Sequence, residues 1–128
     1  MVKFKNLTLA TGEIIKFNLP QKLRRGREHR VEVEVHANGK YLFLTLLLEN
    51  SNKEQQWWAD NDSVDLVKNG GKLSLKNESY KNSWGFPIFS DAIPGEYIAF
   101  IGLYQDTYGL PTLNRRLVAY QLKKVKVV

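Results

Sequence analysis

Three tryptophans and one tyrosine carry this chain's first candidate chemistry. Trp57-Trp58, with Tyr80 and Trp84 downstream, are the residue types on which sugar-binding modules stack pyranose rings. The apolar C–H face of a sugar matches an aromatic face. Neighbours on a strand point to opposite faces, so only one of Trp57 and Trp58 would join such a platform. Core or interface packing is the competing use of the whole set. A second candidate is Asp60-Asn61-Asp62-Ser63-Val64-Asp65, which spaces three carboxylates at i, i+2 and i+5. Calcium takes several hard oxygens from flexible loops of this kind. Asp60, Asp62 and Asp65 lack the sixth-position glycine and the distant glutamate of an EF-hand loop, so a solvated acidic turn is the simpler reading and no metal is expected. A third candidate is basic: Lys22, Arg24, Arg25, Arg27 and Arg30 fall within nine residues. Phosphate-rich or sulfated polymers bind such clusters. No aromatic lies beside this one for base stacking, so a solvated loop is the simpler reading and nucleic acid is not an expected partner.

Catalysis finds little support. His29 and His36 are seven residues apart, an odd spacing that puts them on opposite faces of one strand. There is no G-x-S-x-G, no phosphate-binding loop and no dinucleotide fingerprint. Glu96 and Asp106 are carboxylates that the sequence alone does not bring together. The chain has no cysteine, which excludes disulfides, thiol catalysis and cysteine metal sites. No enzymatic activity and no cofactor are expected.

The elements that would position these residues are strands. With 128 residues the chain is near the modal domain size, and 43% hydrophobic residues suffice for a core, so residues 1–128 read as one domain. No apolar run approaches the length of a membrane-spanning helix, and Met1-Val2-Lys3-Phe4 does not open a signal peptide. The net charge is +6, from 19 basic and 13 acidic residues. Scattered as they are, these charges serve solubility before they serve an anionic partner. Alternation dominates the pattern, and no stretch carries a helical period. Arg30–His36 puts Val31, Val33 and Val35 on one face and charge on the other. Asn38-Gly39 then suits a hairpin turn, which predicts that Tyr41–Glu49 pairs back onto the valine strand. Further strands are predicted at Lys3–Leu9, Glu13–Leu19, Gln55–Ala59, Val64–Val67, Lys72–Leu75, Phe86–Phe89, Gly95–Tyr104 and Arg116–Val128. Gln21–Glu28, Asn77–Gly85 and Gln105–Arg115 read as loops. Eight or nine short strands separated by turns indicate an antiparallel sandwich.

One stretch narrows the architecture. Pro94-Gly95 suits the centre of a type II turn, and Tyr97 follows it to open the apolar run Ile98–Tyr104. This resembles the corner that begins strand F of immunoglobulin-like sandwiches. From about Val31 onward the order of features resembles a bacterial immunoglobulin-like accessory module. The matching pieces are Val31-Glu32-Val33-Glu34-Val35, Tyr41-Leu42-Phe43-Leu44-Thr45-Leu46, Trp57-Trp58, Pro94-Gly95-Glu96-Tyr97 and Val125-Lys126-Val127-Val128. The resemblance implies an all-β, immunoglobulin-like antiparallel β-sandwich of about eight strands without substantial helix. It also implies a non-catalytic unit appended to larger, often extracytoplasmic proteins.

In such a fold the Tyr41, Tyr97 and closing strands share one sheet. If Leu42, Leu44, Leu46 and Leu48 face the core with Tyr97, Ala99, Ile101 and Leu103, then Tyr41, Phe43, Thr45 and Leu47 face outward beside Ile98, Phe100 and Tyr104. Tyr120 or Gln121 would extend one face or the other. An outward face this apolar predicts a partner: a second copy, a neighbouring domain, another protein, or the N-terminal strands folded over it. A bulge that rotates a strand is the alternative. The expected function is therefore a binding or structural module making protein contacts. A carbohydrate-binding module using Trp57, Trp58, Tyr80 and Trp84 is the rival.

Overall fold

The computed structural model describes residues 9–40, 42–50, 56–60, 74–106 and 115–128. Eight strands run through them, and no helix occurs among the described residues: β1 (Thr11–Asn18), β2 (Lys22–Leu23), β3 (Arg27–Lys40), β4 (Leu42–Asn50), β5 (Gln56–Asp60), β6 (Ser74–Ile88), β7 (Gly95–Asp106) and β8 (Arg115–Val127). They form a three-stranded sheet, β1-β3-β6, and a five-stranded sheet, β2-β8-β7-β4-β5. Every pairing is antiparallel except the two-residue contact of β2 with β8. The fold is an all-β, immunoglobulin-like antiparallel sandwich, as the alternating pattern predicts.

The core lies between the sheets and follows the two-residue period. From one sheet come Val31, Val33 and Val35 on β3 and Trp84, Phe86 and Ile88 on β6. From the other come Leu42, Leu44, Leu46 and Leu48 on β4, Tyr97, Ala99, Ile101 and Leu103 on β7, and Val125 and Val127 on β8. The faces assigned to the Val31, Tyr41 and Tyr97 strands from alternation alone are the faces observed. At the predicted corner, Gly95 takes φ +136° and the Tyr97 hydroxyl donates to the Ile93 carbonyl at 2.7 Å. This is the tyrosine-corner bond of immunoglobulin-like sandwiches. It ties the start of the buried strand to the segment that precedes it, while the turn expected at Pro94-Gly95 is replaced by one at Ser90-Asp91, because Gly95 already pairs with Val127 in β7.

Polar side chains of β8 fasten β1 across the open side of the sandwich. Gln121 donates to the Ile14 carbonyl and Lys123 to the Phe17 carbonyl, at 2.5 and 3.1 Å. Arg116 donates to the Ala10 carbonyl at 2.9 Å. Gln105, fully buried, accepts from the Ala10 amide at 2.9 Å. These bonds satisfy main-chain groups at the sheet edge that would otherwise lose water without gaining a partner.

Three further sequence expectations are corrected. The Asn38-Gly39 signal does not make a hairpin between β3 and β4. β3 pairs with β1 and β6, β4 pairs with β5 and β7, and the chain passes from one sheet to the other after Lys40. Asn38-Gly39 marks a bulge instead, where the β3–β6 register shifts between Ala37 and Gly39. Gly39 adopts φ +152°, and a Cβ there would collide with the Ala10 methyl. Next, Asn77–Gly85 is not a loop but the middle of β6, which pairs with β3 from Ser74 to Ile88. Its Asn and Ser content reads as loop by propensity, but a long valine strand beside it supplies the pairing, and context overrides propensity in sheets. Lastly, the basic segment Gln21–Glu28 contains β2 and the start of β3 rather than loop alone. Gln55–Ala59 agrees with β5 at the edge of its sheet. Val64–Val67 and most of Lys3–Leu9 lie outside the described residues.

Candidate functional site

The outer face of the five-stranded sheet is where sequence and structure converge. Alternation that buries Leu42–Leu48 and Tyr97–Leu103 must turn the intervening residues outward. Register aligns them in rows across β4, β7 and β8. Phe43, Tyr104 and Leu117 form one row, and Thr45, Gly102 and Tyr120 the next. Leu47, Phe100 and Leu122 form the third, and Glu49, Ile98 and Lys124 the fourth. The alternation of β7 survives a register shift at Leu103/Tyr104. Leu103 remains fully buried and Tyr104 half-buried.

Aromatic side chains organise this face. Phe43 stacks on Tyr104 with centroids 5.5 Å apart, and Phe100 on Tyr120 at 5.8 Å. The Arg115 guanidinium lies 5.2 Å from the Phe43 centroid and 5.6 Å from that of Tyr104, within cation–π range. Gly102 lets the two pairs meet: a Cβ there would stand 2.7 Å from Phe100 Cε1 and 2.8 Å from Tyr104 Cε2. Thr45, expected to be open, is 2% exposed and its Oγ1 has no hydrogen-bond partner among the described residues. The physical reason is that it pairs with Gly102, over which those rings close. Around the rings the face stays open, with Ile98, Leu117, Tyr120 and Leu122 at 37%, 44%, 57% and 59% exposure.

Of the six residues expected to form an interface, Phe43, Leu47, Ile98, Phe100 and Tyr104 lie together on this face, and Tyr41 lies outside the described residues. The N-terminal strand β1 does not cover them, because it belongs to the other sheet. Sequence reading missed Arg115, Leu117 and Leu122. Leu122 shares the parity of Tyr120 and was available from alternation. Leu117 was hidden by the register shift.

The other candidates are dispersed. Trp57 and Trp58 lie on β5 of the five-stranded sheet, while Tyr80 and Trp84 lie on β6 of the three-stranded one. Trp84 is 8% exposed within the core, and Tyr80 packs against that core. Trp84, buried in the core, is therefore not open to a ligand at the surface. Asp60 ends β5 opposite Thr45, and Asp62 and Asp65 lie outside the described residues. No group of three or more His, Asp or Glu side chains suited to a metal occurs among the described residues. His29 Nε2 contacts the Arg24 main chain, and its ring faces Phe86 at 6.1 Å. His36 is exposed on the opposite face of β3. Lys22, Arg24, Arg25, Arg27 and Arg30 are all exposed, and Arg30 bonds to Ser83. No helix among the described residues is long and apolar enough to cross a membrane.

No protein-family model matches the chain, and no curated protein is significantly similar to it in sequence. Its structure is similar to that of a Niemann-Pick type C2 protein from Japanese carpenter ant, with 8% identity and a TM-score of 0.67. That match covers 92% of this chain and 93% of the other. It is also similar to part of a β-glucosidase from Listeria innocua, with 16% identity and a TM-score of 0.55. There the match covers 92% of this chain but spans only 16% of the enzyme's length. At these identities the likenesses show the fold alone.

Proposed function

We propose that the chain is a single, non-catalytic β-sandwich module that docks onto a protein partner through the outer face of its five-stranded sheet. The observation that carries this reading is the run of exposed apolar side chains beside two stacked aromatic pairs. A lone exposed leucine needs no explanation, but contiguous apolar surface marks an interaction site. A face built on hydrogen-bonded strands is also rigid, so little order must be imposed on docking. The likeness to a small part of a much longer enzyme supports a unit carried by larger proteins, in keeping with the accessory modules that the motifs resemble.

Tyr120 and Leu122 are more than half exposed and Tyr120 stacks on Phe100, so Tyr120→Ser/Leu122→Ser should cost about 1–2 kcal/mol and leave the domain folded. Ile15→Ser, on the opposite sheet at 50% exposure, is the matched control. Affinity capture from cells of the source organism, with sedimentation equilibrium for self-association, compares the three. The expected result is a protein partner kept by the wild type and Ile15→Ser and reduced at least tenfold by the double variant. Equal recovery by all three, with monomers throughout, would contradict the proposal.

A further inference from the structure

We propose that the partner docking on this face presents an acidic segment, which seats in a lysine-ringed groove at the face's lower end; this rests on the docking function inferred above. The groove has a volume of about 590 Å³ and is lined by Gln21, Lys22, Glu96, Ile98, Lys124 and Lys126, with Tyr97 and Val125 completing the wall. It arises where two basic stretches far apart in sequence are brought together. β2 pairs in parallel with the end of β8, matching Lys22 with Lys126. Three main-chain bonds hold the junction: Lys126 to the Gln21 carbonyl, Val128 to that of Leu23, and Arg25 to that of Val128. β7 contributes Glu96 opposite Lys126 and Ile98 opposite Lys124. Ile98 belongs to the row just below Phe100 and Leu122, so the groove continues the apolar face.

The lysines here have nothing else to do. Several cations elsewhere are engaged: Lys16 pairs with Glu32 at 3.8 Å, and Lys123, Arg116 and Arg30 bond to carbonyls. Lys22, Lys124 and Lys126 are exposed and have no ion pair or side-chain hydrogen bond among the described residues. Exposed Arg24, Arg25 and Arg27 extend the positive field from the same junction. Such a field raises the local concentration of anionic groups and speeds their arrival.

Three features select an acidic protein over other occupants. A second copy would bring the same lysines and the same net charge of +6, and juxtaposed like charges oppose docking. Nucleic acid prefers open aromatic faces for its bases, and the groove's aromatic lining is Tyr97, which is buried. A uniformly anionic membrane would oppose Glu96, which sits among the lysines. A protein can place carboxylates at Lys22, Lys124 and Lys126 and a donor at Glu96.

The test is an amide-shift titration of the whole chain with a capped octaglutamate peptide, beside phosphatidylserine vesicles and a thymidine oligonucleotide. The expected shifts concentrate on residues 21–23, 96–98 and 124–127. Lys22→Gln/Lys124→Gln/Lys126→Gln should weaken peptide binding at least tenfold. Lys16→Gln/Arg30→Gln/Lys81→Gln, which removes the same charge from the opposite sheet, should change it less than threefold. Equal weakening by both triples would overturn the groove, as would vesicles or oligonucleotide binding as tightly as the peptide. The docking face and its chemistry fail separately. Loss of the captured partner by Tyr120→Ser/Leu122→Ser but not by the lysine triple would retain the face and reject the acidic segment. The reverse outcome would retain the groove and reject the apolar face.

Discussion

Ile101→Ala should lower the unfolding free energy by about 3–4 kcal/mol, enough to remove a large part of a typical domain's stability. Ile101 is fully buried on β7, the strand that pairs with β4 on one side and β8 on the other. Its loss removes transfer free energy and leaves a cavity under the centre of the sheet. Paired strands on both sides hold the backbone, so the site cannot readily collapse. Urea unfolding followed by tryptophan fluorescence measures the change. A loss below about 1 kcal/mol would mean that β7 does not pack as described. Phe100, the adjacent residue on the opposite face, gives the contrast. Phe100→Ser should cost about 1 kcal/mol, the order of one aromatic pair.

A comparable effect is expected where the chain changes sheets. Gly39→Val should destabilise the fold by about 3 kcal/mol or more, through a strained backbone and an overpacked contact. Gly39 holds φ +152°, which a β-branched residue rarely adopts, and its Cβ would collide with Ala10. Gly39→Ala with Ala10→Gly separates the two causes. Removing the Ala10 methyl should recover the steric part and leave the backbone part. If Gly39→Val folded with wild-type stability, the chain could not cross between the sheets in this conformation.

These two sites also show what the sequence makes legible. Around Ile101 a two-residue period decides everything local. Tyr97, Ala99, Ile101 and Leu103 alternate with outward residues, and the buried face follows whichever strand lies alongside. The tyrosine corner at Tyr97 was readable for a similar reason, since its hydroxyl bond to Ile93 spans only four residues, whereas the turn expected at Pro94-Gly95 lies earlier, at Ser90-Asp91. At Gly39 the local signal was real but ambiguous. Asn-Gly permits positive φ equally in a hairpin and in a bulge, and pairing with Leu75 and Ser74 decides between them. β6 was obscured for the converse reason: its outward and edge positions are Lys, Ser and Gly, a composition shared by wet strands and loops. The apolar face was visible wherever alternation held, from Phe43 to Tyr104. It was not visible at Leu117, beyond the β8 register shift, nor in the lysine groove. There, two residues of parallel pairing join Lys22 to Lys126 across the length of the chain.

The most direct test of the docking face is oxidative footprinting of the chain in its native assembly against the isolated chain. Burial in an interface predicts at least fivefold lower labelling of Ile98, Leu117, Tyr120 and Leu122, with Ile15 and Phe89 unchanged. Unchanged labelling of those four side chains, or protection confined to Ile15 on the opposite sheet, would contradict it.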